Sequence, residues 1–284
     1  MSNFRKGNSN VLPLHKARMG DGLLGGGCGD LSSLHERVEI GQSVVLSDPG
    51  GISYAKYADC FKNEGYIVKV LNLSSPEKSD GWNPLREIGD EASAQLFINL
   101  FSEATGGDER DHIENIAEMF LLKALCLYVV HGSTFPDEDK NMRTVCELLM
   151  ADETGLFRCF ESLTVNHPAG IPFTFFKRLS EDSRSRAVVG LAGRMQVFFI
   201  PFVKKLTMHN EIELIDPGRV KCAYFIIPDE MNSSYDVIEE LFISLMIANL
   251  VRYASIQPDR RLPVPVSILM GDEVEGFCDG LRCE

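Results

Sequence analysis

Four short apolar runs, at residues 43–46, 66–71, 223–227 and 264–270, punctuate this 284-residue chain. None alternates between polar and apolar positions. Each is therefore expected to be a strand buried on both faces, in a parallel sheet covered by helices. Turn chemistry follows them: Asp48-Pro49-Gly50-Gly51 after the first and Pro228-Asp229 after the third. The fourth run leads into Gly271-Asp272-Glu273. Carboxylates at the C-terminal ends of parallel strands lie where α/β folds place ligand chemistry.

About 150 residues separate the second run from the third, and most read as helix. Apolar residues at 113, 116, 117, 120, 121, 124, 125 and 128 form a 3.6-residue stripe over 111–130. Asp108, Glu109 and Asp111 sit where the helix dipole favours negative charge. Further helices are expected around 96–101, 145–150, 156–163, 175–179 and 186–195, with the pattern broken at 167–172. Residues 52–62 and 236–253 complete the set. A helical block between strands of one sheet reads as an inserted all-α domain. The expected division is 1–89, the first part of a nucleotide-binding domain; 90–189, the all-α insert; and 190–284, the second part, ending after the fourth strand.

Net charge is −13 over the chain and −7 over residues 91–190. Such a chain is a poor indiscriminate binder of nucleic acid, because neutralising phosphates needs a cationic face. No apolar stretch approaches the roughly 20 residues that span a bilayer, and the N-terminal residues lack the apolar core of a signal peptide. The eight cysteines are scattered without a C-x-x-C pair, and the six histidines show no metal-ligand spacing. Cys126 and Cys222 lie within apolar runs and read as buried thiols. The expectation is a reduced, cytoplasmic chain.

The N-terminal glycines admit two readings. Gly20-Asp21-Gly22-Leu23-Leu24-Gly25 fits the dinucleotide fingerprint, but residues 13–19 make a poor leading strand. Gly25, Gly26, Gly27, Gly29 and Ser32 could instead form a phosphate-cradling loop. Asp30 and Leu31 stand where such a loop needs Gly and Lys, and an aspartate repels phosphate. The fourth run with Asp272 and Glu273 has the form of a strand that delivers one carboxylate to magnesium and another to the attacking water. Asp48 reads as the cap of the 52–62 helix. Trp82, the sole tryptophan, reads as a core anchor before a turn. Arg194 is either a phosphate ligand or, the blander reading, a surface charge.

Taken together, these segments resemble a family. The stretch SVVLSDPGGISYAKYADCFKNEGYIVKVLNLSSPEKSDGWNPL at 43–85 is similar to the segment after the first nucleotide-binding strand of type IV secretion coupling proteins, the TraG-type ATPases of conjugative DNA transfer. Residues 191–218, then 223–250, then RLPVPVSILMGDE at 261–273 follow in the family's order. The resemblance implies a RecA-like P-loop NTPase sheet with an inserted all-α domain. It further implies ATP and Mg2+ as cofactors, and a membrane-associated homo-hexamer that links a relaxase–DNA complex to the secretion channel. Asp272 would then hold magnesium and Glu273 polarise water, with Gly25, Gly26, Gly27, Gly29, Ser32, Asp48 and Arg194 on the nucleotide.

The departures point to impairment. The P-loop Gly-Lys-Thr is missing. In the family's Asp-Pro-Lys-Gly-Glu segment Asp48, Pro49 and Gly51 stand, but Gly50 and Ile52 replace Lys and Glu. The N-terminal transmembrane pair is absent, and the chain stops eleven residues after Glu273, as expected of a fragment or decayed copy. The leading expectation is a catalytically impaired coupling-protein domain. The alternative is a nucleotide-independent module that binds a relaxase or secreted protein through the all-α domain.

Overall fold

The computed structural model describes residues 41–106 and 112–270. Its elements in chain order are β1 (Ser43–Ser47), α1 (Ile52–Asn63), β2 (Ile67–Asn72), α2 (Glu91–Ala104), α3 (His112–His131), α4 (Met142–Leu149) and α5 (Glu153–Glu161). Then come α6 (Gly170–Lys177), α7 (Glu181–Arg194), α8 (Pro201–Leu206), β3 (Cys222–Ile227), α9 (Asp236–Ser255) and β4 (Val266–Leu269). Short 3₁₀ turns join several of these.

All four strands pair in parallel, in the order β2-β3-β1-β4. The chain is thus an α/β fold dominated by helix, as the four apolar runs imply. Every residue of the two central strands, β1 and β3, is buried. The period of two divides them between two cores. Val44, Leu46, Ala223 and Phe225 face one side, where Tyr57 and Phe61 of α1 cover them. Val45, Tyr224 and Ile226 face the other. There the core runs on without a break through Phe97 of α2, Leu121 and Leu125 of α3 and Phe176 of α6, to Leu241 and Leu245 of α9. Helix α9, apolar nearly all round, lies on this face because it meets sheet residues and α2 together.

Helix starts follow local chemistry. Asp90 and Ser93 form a reciprocal capping box at α2, while Asn141, Asp152 and Ser180 each cap the helix that follows. The break expected at 167–172 is overrun: α6 begins at Gly170 with Pro172 in its first turn, where a missing N–H costs nothing. Helix α8 was not expected; Pro201 opens it. Strand β4 is shorter than its apolar run, since Pro265 precedes it and only its carbonyl joins the sheet, accepting from Ser43 N at 2.9 Å. On the expected stripe of α3, Ala117, Leu121, Ala124, Leu125 and Tyr128 are buried, whereas Ile113 and Ile116 remain exposed.

The free edge of β2 is closed by the chain itself. Asp80 exchanges hydrogen bonds with Val70: its N–H donates to Val70 O at 2.9 Å, and Val70 N–H donates to its carboxylate at 2.8 Å. Asn72 N–H donates to Ser79 Oγ at 2.8 Å. An edge so covered offers no template for another strand. Trp82 is fully buried against Phe242, as its anchoring reading requires. Cys126 and Cys222 are buried thiols, and desolvation pushes both up, Cys222 to about 12.

Candidate functional site

Parallel pairing brings all four strand ends to one edge. Ser47 stands opposite Ile226, Asn72 opposite Ile227, and Leu269 opposite Leu46. That edge is the usual ligand position of such sheets.

Asp48 is the first residue beyond β1 and is 2% exposed. Its N–H continues the ladder to Ile226 O at 2.7 Å. Its carboxylate accepts from Ser53 N at 2.9 Å and from Tyr54 N at 2.7 Å. It therefore caps α1 from four residues upstream, satisfying two orphan N–H groups at a helix N-terminus. Two left-handed glycines make the turn possible, Gly50 at φ +74° and Gly51 at φ +71°. A Cβ on Gly51 would also stand 3.0 Å from Ile227 Cδ1.

Ser47 and Glu239 were not singled out in the sequence. Ser47 Oγ approaches Glu239 Oε1 of α9 at 3.5 Å. Burial raises the Glu239 carboxyl above its ordinary range, Asp236 adds to this by repulsion, and the Ser47 hydroxyl opposes it. An acid on a largely apolar helix, and a serine closing an apolar strand, were the available signals.

Arg194, the other candidate within the described residues, is not a surface charge. It is 7% exposed and lies in the helical block. Its Nη1 donates to Glu118 Oε2 at 2.7 Å and to Asn115 Oδ1 at 3.0 Å, and its Nε donates to Thr105 Oγ1 at 2.8 Å. None of these partners is a partner of Asp48, Ser47 or Glu239. The surface reading failed because a side chain's burial is decided by neighbours 76 to 89 residues away. The remaining candidates, Gly25, Gly26, Gly27, Gly29, Ser32, Asp272 and Glu273, lie outside the described residues.

The described edge thus presents carboxylates and a hydroxyl, with no Lys or Arg among them. Both Asp48 oxygens are taken up by α1, and among the described residues no cluster of three or more His, Cys, Asp or Glu could hold a metal ion. Among the described residues no helix is long and apolar enough to cross a membrane.

Residues 38–276 match the family described as "Type IV secretory system Conjugative DNA transfer". Among solved structures the chain is similar to the bacterial conjugative coupling protein TrwBdeltaN70 in its trigonal form with sulphate. Identity there is 13%, the TM-score is 0.54, and the match covers 87% of this chain and 62% of that one. It is similar also to the plasmid coupling protein TrwB in complex with ADP and Mg2+, at 15% identity and TM-score 0.53, covering 90% of this chain and 66% of that one. The unbound monoclinic form of TrwBdeltaN70 gives 13% identity and TM-score 0.53, covering 86% and 59%. The chain thus spans about three fifths of these structures' length. At such identity the likeness is one of fold. No curated protein matches the sequence.

Proposed function

Because the chain belongs to the type IV secretory system family of conjugative DNA transfer, we propose that it is a coupling-protein nucleotide-binding core whose grip on ATP is impaired. In this reading it links a relaxase–DNA substrate to a secretion channel, as part of a homo-hexamer on the cytoplasmic side of a membrane. Residues 1–89 and 190–284 form the RecA-like unit, and 90–189 form an all-α insert.

The observation that supports it most is the strand edge. β4 ends at Leu269, opposite Leu46, and Asp272 follows three residues later in sequence. Asp272 would hold magnesium and Glu273 would orient water. Gly25, Gly26, Gly27, Gly29 and Ser32 would meet the phosphates, where Asp30 and Leu31 weaken the hold. Asp48 contributes by fixing the turn into α1; Arg194, in the second part of the RecA-like unit, contributes by tying its helix to Glu118 of the all-α insert. TrwB was solved with ADP and Mg2+, which favours the same ligand class here. Bound Mg-ATP would supply the transferable phosphoryl group. Isothermal titration with Mg-ATP tests the reading: weak binding that needs magnesium is expected, and micromolar binding overturns the impaired grip.

A second reading is a nucleotide-independent module that binds a relaxase or secreted protein through the all-α insert. It is favoured by Asp30 and Leu31 and by apolar side chains left exposed on that insert, Ile113, Ile171 and Phe175. Relaxase binding that is unchanged by Mg-ATP would favour it over the first.

A further inference from the structure

Helix α6 starts on a histidine. In the turn before it, His167 N–H donates to Thr164 O at 3.0 Å and Gly170 N–H donates to His167 O at 2.9 Å. Between these bonds, Ala169 N–H donates to the imidazole Nδ1 of His167 at 3.2 Å. Ala169 is fully buried, and Nδ1 is the acceptor that its N–H finds among the described residues. Because Nδ1 accepts, the ring proton of the neutral histidine sits on Nε2. That atom is also buried and has no partner at hydrogen-bonding geometry.

An imidazolium carries a proton on both nitrogens, so no orientation of the charged ring can accept from Ala169. The buried N–H would then lose its bond with no water to replace it, which is costly. Helix α6 is poorly placed to absorb the loss. Its eight residues are too few to hold a helix alone, so it depends on its start and on its packing. Phe173 stacks on Phe160 of α5 with centroids 3.9 Å apart, and Phe175 stacks on Phe120 of α3 at 5.1 Å.

We propose that His167 is an acid-released latch on α6: the neutral ring anchors the helix start, and a proton taken up from solvent opens it. The first turn carries Ile171, an apolar side chain that α6 leaves exposed, so acid remodels this face of the helical block. The inference stands on the Ala169 contact and depends on neither nucleotide nor partner binding.

Burial holds the His167 imidazole below the ordinary histidine range. The carbonyl of His131, the last residue of α3, opposes this, and the His131 ring adds to it by repulsion. Tyr128 of α3 lies alongside with ring centroids 6.3 Å apart; burial and Cys159 of α5 raise its hydroxyl, which stays neutral as pH falls. The one charged side chain of α6, Lys177, is at the far end of the helix. A native ring held low loses its stabilising contact as pH falls.

Hydrogen exchange of the full chain tests the latch at the amides of residues 173–176. The reference is His167→Asn, whose side-chain oxygen can accept from Ala169 but cannot ionise. Relative to it, wild-type protection should fall roughly tenfold or more between about pH 7.5 and about pH 4.5. The comparison cancels every other titration in the chain. His167→Ala, which offers no acceptor, should be poorly protected at both values. Wild-type protection that tracks His167→Asn throughout overturns the proposal, as does a His167→Ala variant protected like the wild type at about pH 7.5. Should circular dichroism show His167→Asn unfolded, His131→Gln decides. Loss of the neighbouring ring should move the midpoint of opening upward, and an unmoved midpoint overturns the latch.

Discussion

Arg194 and Glu118 form an ion pair with Nη1 and Oε2 2.7 Å apart, each side chain 3% exposed. The pair joins the C-terminal end of α7 to α3, and Asn115 and Thr105 complete the donor–acceptor set. Two charges taken from water repay their desolvation only when geometry and further hydrogen bonds are good. Here the guanidinium has three partners, two on α3 and one at the residue after α2.

Removing one partner should therefore be severe. Arg194→Met takes from the buried Glu118 carboxylate its ion-pair partner and should lower unfolding free energy by about 3–5 kcal/mol. The double change Arg194→Met with Glu118→Met should recover most of that loss, since apolar replacement of a buried pair is often neutral. Urea unfolding of the three chains decides it; a double variant no better than the single one would show that the loss comes from packing.

Stability should also carry a signature of Glu87. Its carboxyl is raised from the ordinary glutamate range to about 7, so the native state holds a proton that the unfolded chain has released. The associated stabilisation is complete below the unfolded value and is lost as pH rises through about 7. Glu87→Gln keeps an acceptor for Asn249 but cannot ionise. The wild type should lose stability relative to this variant between about pH 4.5 and about pH 7. Parallel pH profiles in denaturant would contradict the assignment.

Repairing the phosphate loop should restore binding before it restores turnover. Asp30→Gly with Leu31→Lys removes a repulsion and adds a charge-assisted contact of roughly 1.5–3 kcal/mol, or about tenfold to a hundredfold in affinity. Hydrolysis further needs water, magnesium and an arginine placed together at the γ-phosphate. The described strand ends carry no arginine, so the variant should bind Mg-ATP without turnover above background. Sustained phosphate release abolished by Glu273→Gln would prove the chain catalytically sufficient.

Duplex DNA should bind poorly at physiological salt. The net charge of −13 opposes counterion-releasing contacts with phosphates. Gel shifts that reveal tight, salt-sensitive binding would locate a basic patch on the surface.

Periodicity was enough to reveal the sheet. Runs such as 223–227 can be buried on both faces only as inner strands, so parallel pairing and flanking helices followed from local composition alone. Asp48 was equally legible as a cap, because capping is a relation between near neighbours: Ser53 and Tyr54 lie five and six residues away. Arg194 was not, since its burial depends on Glu118 across the helical block. Nor was the meeting of Ser47 with Glu239, or of Trp82 and Glu87 with α9, because each joins segments more than 150 residues apart. Periods and caps are set by the chain's local geometry. Desolvation and pairing of charge are set by what folding carries in from a distance, and only the tertiary structure decided those.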